Sequence, residues 1–152
     1  MSESQALLLA TSALGFYSAG QVWLVQLSSY RLWLYVGESE FPAYHEAWWR
    51  SIWGVILAPA ALVTIGATLM FWARPPDVPM IALWLGAALQ GALVLGTALW
   101  WGPLMARIKA PSGGLLPARY RLLMTTHWLR VGLVTAYAFL AVWMLAQSAW
   151  RS

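Results

Sequence analysis

The chain has 152 residues, of which 61% are hydrophobic and only 9% charged, with a formal net charge of +4. A soluble domain carries about a quarter charged residues, so this composition excludes a water-coated globule and makes a bilayer the natural solvent. The chain has no cysteine, which excludes disulfides, thiolate metal ligands, iron–sulfur clusters and cysteine nucleophiles.

The expected fold class is all-α: an integral membrane four-helix bundle, one domain over residues 1–152. A spanning helix needs about 20 mostly apolar residues, and four stretches qualify. The first covers about residues 6–36. Its leader, Met1 to Gln5, has no Lys or Arg, unlike a secretory signal, so the run reads as a retained helix. Ser12, Gly15, Ala19, Val22, Gln26 and Ser29 fall on one face at helical spacing, which predicts close packing.

The first connection, residues 37–47, is acidic. It runs into the stretch FPAYHEAWWRS, which starts at Phe41 and holds His45, Glu46 and Arg50 at the mouth of the second span. That span covers about residues 48–72. Pro59 inside it should kink the helix and free the carbonyl of Val55. Glu46 and Arg50 are four apart and can pair, with Trp53, Thr64 and Thr68 roughly on their face. Arg74-Pro75-Pro76 ends the span and opens a short hairpin.

The third span covers about residues 78–101 and should stop at Gly102-Pro103. Ala88, Ala92 and Gly96 form a small-residue ridge, and Gln90 needs an interhelical partner or a substrate contact. The third connection, residues 104–121, carries Arg107, Lys109, Arg119 and Arg121 around Pro111-Ser112-Gly113-Gly114. A segment of that kind can rest in the membrane interface. The fourth span covers about residues 122–147, with His127 and Arg130 near its start and Tyr137 deeper on the same face. The two halves share only a His and an Arg near the start of their second spans, too little for a repeat.

Basic residues cluster on the side of the first and third connections, so that side is expected to be cytoplasmic and both termini outside, in a bacterial inner membrane. The clustering speaks for orientation and against nucleic acid as a partner. The twelve tryptophans suit an interface-anchored protein. Expected partners are membrane lipid, a hydrophobic small molecule, and a second copy or another membrane protein.

Spans two and four run the same way, so His45, Glu46, Arg50, His127 and Arg130 should lie at one depth. An intramembrane Arg needs an acceptor; Glu46 is the first choice for Arg130, then Glu38, Glu40 or a ligand anion. His127, Arg130, His45 and Glu46 are the catalytic candidates. A His is suited to take a proton, and a neighbouring Arg would stabilise the enolate or phenolate that forms. Arg50, Tyr30, Gln26, Gln90 and Tyr137 are the substrate-binding candidates, with Trp rings to hold a planar ligand. No cofactor is expected. A bis-histidine haem between His45 and His127, or a metal held by His45, His127 and Glu46, are the alternatives. A non-catalytic membrane subunit is the alternative from a different class.

FPAYHEAW, the span-two proline and HWLR together resemble a group of small four-span bacterial membrane proteins. That group is distantly similar to the anthrone oxygenases of fungi and their bacterial relatives. The likeness rests on Phe41, Tyr44 and His45 before span two and on His127, Trp128 and Arg130 opening span four. It implies a four-helix membrane bundle. It also implies oxidation of an aromatic or polyketide-like substrate by molecular oxygen without metal or flavin, with His127 as base and Arg130 as anion stabiliser.

Overall fold

The computed structural model describes residues 2–108 and 118–149. Four helices are long and apolar enough to cross a membrane: α1 (Glu3–Tyr35), α2 (Phe41–Leu69), α3 (Met80–Ala106) and α4 (Ala118–Ser148). Among the described residues there is no strand. Helices α1 and α3 each pack against both α2 and α4, so successive helices are neighbours in an up-down-up-down bundle. The expected turn at Pro111 to Gly114 and its Lys109 lie outside the described residues.

Two boundaries differ from expectation. The FPAYHEAWWRS stretch is helix from its first residue, with Pro42 in the first turn, where a missing N–H costs nothing. His45 and Glu46 therefore sit on α2 itself. Helix α3 does not stop at Gly102-Pro103 but continues to Ala106. The reason is a π-turn at Thr97–Trp101, closed by the Gly102 N–H donating to the Thr97 carbonyl. The wider turn moves the proline ring away from the carbonyl it would strike in an α-helix.

The same device recurs in α2. A π-turn at Trp53–Leu57 is closed by Ala58 N–H donating to the Trp53 carbonyl, and Pro59 follows. The proline frees the Val55 carbonyl as expected, and the Tyr17 hydroxyl of α1 donates to it at 3.2 Å. A third π-turn, Val25–Ser29 in α1, has no proline behind it. Helix α4 is α-helical throughout its described length.

The end bearing the termini is built from Leu8, Val63, Met70, Val78, Ala82, Leu83, Ala141 and Met144 around Tyr137. Ser2 caps α1 in a reciprocal box with Gln5, and Gln5 Nε2 donates to the Ser148 carbonyl at 3.0 Å, tying α1 to α4. Small residues bring the helices close, since Gly15 lies against Ala138 and Tyr137, and a side chain at Gly66 would collide with Thr11. The expected α1 face is buried from Ser12 to Gln26. The expected α3 ridge is not the packing face: Ala88 and Ala92 point outward, and Ala82, Leu83, Gly86, Gln90 and Leu93 point in. Gly86 sits on that face because the Tyr137 ring lies against it. The other end is aromatic, with Tyr30, Trp33, Phe41, Trp101 and Tyr120 buried together and Trp48 and Trp49 packed against them.

Candidate functional site

All three π-turns border one cavity. Its walls include Val25 in α1, Trp53, Ile56 and Leu57 in α2, and Thr97 and Ala98 in α3, each from a π-turn. Tyr30, Trp48, Trp49 and Met105 line it further, and His127 and Arg130 from α4 complete it. The volume is about 170 Å³. A π-turn displaces backbone and side chains from regular packing, and three at one level leave room where an unbroken bundle would close.

His127 is fully buried. Its Nδ1 lies 2.9 Å from Gln26 Oε1, and Gln26 Nε2 donates to the Met124 carbonyl at 3.1 Å. That carbonyl can only accept, so the Gln26 amide has one consistent orientation, with its oxygen towards the ring. The neutral imidazole then carries its proton on Nδ1 and holds a free lone pair on Nε2. Nε2 is buried with no partner. A histidine held in one tautomer by a neighbour, with the other nitrogen free, is the arrangement of a general base.

Arg130, one turn further along α4, is 6% exposed. Its Nε has no hydrogen-bond partner, and among the described residues no carboxylate pairs with it. The face of Trp101 lies 5.9 Å from the guanidinium carbon, a cation–π contact of roughly 0.5–2 kcal/mol. An arginine in the middle of an apolar bundle costs about 2.5–3.5 kcal/mol or more, so the ring alone does not settle it. Arg130 also borders two further cavities. A small one, about 20 Å³, is lined by Ser18, Gln90 and Tyr137, and an open one of about 250 Å³ lies between α2 and α3.

The expected Glu46–Arg130 pair does not form. Glu46 accepts from Arg50 on the surface of α2, with side chains 65% and 78% exposed. Glu38 and Glu40 are exposed as well. Glu46 and Arg50 sit outside the cavity because the first turns of α2 project them to solvent. His45 is not in the cavity wall either. It lies in an aromatic layer beside it, with the Trp33 ring at 5.3 Å and Phe41 at 5.5 Å, and Trp33 and Trp48 in turn touch Tyr30. Tyr30 meets His127 edge-on at 5.0 Å. His45 thus reaches His127 only across indole and phenol rings, which does not fit a haem shared by the two. Among the described residues no three His, Asp or Glu side chains gather as metal ligands.

Of the substrate-binding candidates, Tyr30 lines the cavity, its hydroxyl donating to Met105 Sδ at 2.9 Å, and Gln26 is not in the lining but contacts His127. Gln90 accepts from Thr64 Oγ1 at 3.1 Å, the interhelical bond expected of a buried amide, and with Tyr137 it faces the small cavity. Trp101, Met105 and the π-turns were not legible as site features. The signal for two of the turns was present, since Trp53 and Thr97 each stand six residues before a proline.

No family model matches the chain, and no curated protein or solved structure matches it. The likeness to anthrone oxygenases therefore rests on the residues quoted for it alone.

Proposed function

We propose that this chain is a multi-pass membrane enzyme of the bacterial inner membrane. In this reading it takes a proton from a small aromatic or quinone-like molecule with an acidic oxygen or an acidic ring carbon. The observation that carries the reading is that two residues lining one cavity, His127 and Arg130, each bury a nitrogen without a hydrogen-bond partner, Nε2 and Nε. The substrate enters as the neutral, lipid-soluble acid. His127 Nε2 accepts its proton while Gln26 holds the Nδ1 proton. The phenolate or enolate left behind takes up the cation of Arg130, which has waited without an acceptor. Trp48, Trp49 and Trp53 offer faces to a planar ring, and the low dielectric strengthens the new ion pair.

Cavity size supports a one-ring substrate. A cavity near 150 Å³ takes benzene, and this one is about 170 Å³. A three-ring anthrone exceeds it. The oxygenase chemistry that the resemblance implies fits the same residues on a smaller ring: the carbanion next to a carbonyl reacts with molecular oxygen, the ring methylene becomes a second carbonyl, and water leaves. The orientation, with both termini outside, is supported by Arg31, Arg50, Arg107, Arg119 and Arg121 all lying towards the connection-bearing end.

A phenol whose anion is coloured, such as 4-nitrophenol, tests the reading in lipid nanodiscs. The wild type should bind it as the anion at a pH where the free phenol is largely neutral. His127→Phe should bind it uncoloured, and Arg130→Gln should bind it weakly. Binding in the neutral form by the wild type would overturn the acid–base reading and leave a non-catalytic ligand-binding membrane protein.

A further inference from the structure

A second space adjoins the cavity on its α2–α3 side. The groove of about 250 Å³ there is lined by Leu57, Ala60 and Ala61 of α2 and by Leu93, Val94 and Ala98 of α3, with Arg130 at its floor. Leu57, Thr97, Ala98 and Arg130 line both spaces, so groove and cavity adjoin at these four residues. The two helices are held together below it, where Thr64 bonds to Gln90 and Val63, Met70, Val78, Ala82 and Leu83 are buried. Above that bond, alanines on both sides keep the helices from sealing.

The groove opens onto a belt of large exposed apolar residues, among them Leu62, Ile65, Leu95 and Leu99. From Ser51 to Ala73 and from Val78 to Ala106 the sequence has no charged residue. The mouth therefore faces hydrocarbon. The cavity of about 170 Å³ admits one ring, while the groove adds about 250 Å³ of mostly apolar space beside the same arginine.

Resting on the acid–base reading above, we infer that the substrate is a one-ring phenol or hydroquinone carrying a linear apolar tail. It enters sideways from the bilayer between α2 and α3, its ring in the cavity and its tail lying in the groove. The tail supplies buried apolar area, at roughly 25 cal/mol per Å², that the small ring cannot. The polar head meets Arg130 without crossing water, and the groove acts as a length and shape filter ahead of the base.

The test compares two probes, methylhydroquinone and the same ring carrying a decyl chain. Binding is read by tryptophan fluorescence in nanodiscs, with concentrations expressed per lipid so that partitioning cancels. The decyl probe should bind wild type at least tenfold more tightly than methylhydroquinone. Ala61→Phe, which fills the groove without touching the ring cavity, should bring the decyl probe down to the affinity of the bare ring. It should leave methylhydroquinone within twofold of wild type. Val94→Phe gives the same test from α3 should Ala61→Phe fail to fold. Ile81→Phe, on the lipid-facing surface at the other end, should change neither probe. Equal binding of the two probes by wild type, or a decyl advantage surviving both groove fillings, overturns the tail assignment while leaving the ring site standing. Failure of both probes to bind overturns the ring site and the tail assignment together.

Discussion

The two ends of this bundle are built by different rules. At the terminus-bearing end the helices are regular and the buried side chains are mostly aliphatic. Polar groups there find local partners, as Arg74 Nη1 does with the Val78 carbonyl at 2.8 Å. At the other end three helices leave α geometry, rings replace aliphatic side chains, and Trp33, His45, Trp101, His127 and Arg130 each bury a polar atom without a partner. A buried polar atom left unmade costs about 1–3 kcal/mol. The contrast is that of a clamp, whose polar groups are satisfied, and a head that keeps several buried polar atoms unmet.

Substitutions should separate the two ends. The largest effect is expected from Arg130→Met, which should lower affinity for an anionic phenol at least a hundredfold. It should also leave thermal unfolding in detergent unchanged or raised, because an unpaired buried charge is replaced by an apolar chain of similar volume; a large drop in stability would mean that Arg130 belongs to the clamp. Leu8→Ala should do the reverse, costing about 2–5 kcal/mol of stability with phenol affinity within twofold. Next comes Gln26→Leu, which leaves His127 Nδ1 without its acceptor. It should cost roughly 1–3 kcal/mol, and the bound nitrophenol should lose most of its anion colour while remaining bound. Smaller still is Tyr17→Phe, which abandons the Val55 carbonyl and should cost about 0.5–1.5 kcal/mol by chemical unfolding. Glu46→Gln should be indistinguishable from wild type in both assays, since exposed pairs contribute little; a loss of binding would return Glu46 to the site.

The spans, their number and the pairing of His127 with Arg130 follow from hydropathy and from a three-residue spacing, both of which survive any detail of packing. That no carboxylate among the described residues pairs with Arg130 was not legible. Glu46 and Thr64 stand a whole number of α-helical turns apart and so share a face on paper. The π-turn at Trp53–Leu57 lies between them and rotates the rest of α2 by roughly a quarter turn. Thr64 consequently meets Gln90 while Glu46 points to solvent. The α3 ridge failed for a different reason. Small residues mark both close packing and indifferent lipid-facing positions, and only the bulk of Tyr137 decides that Gly86 is the inward one.

The paired π-turns also bear on how this protein would be recognised in distant sequences. A π-turn holds one residue more than the α-turn it replaces, so each has the length of an α-turn with a single residue added. A relative lacking one residue before the second-span proline would keep its hydropathy profile, yet its proline ring would strike an α-helical carbonyl, and the residues beyond it would face a different direction. The trait to look for is the count of residues, six from Trp53 to Pro59 and six from Thr97 to Pro103. A chain that agrees in that count has the spacing that the two proline-linked π-turns use here, whatever its other side chains.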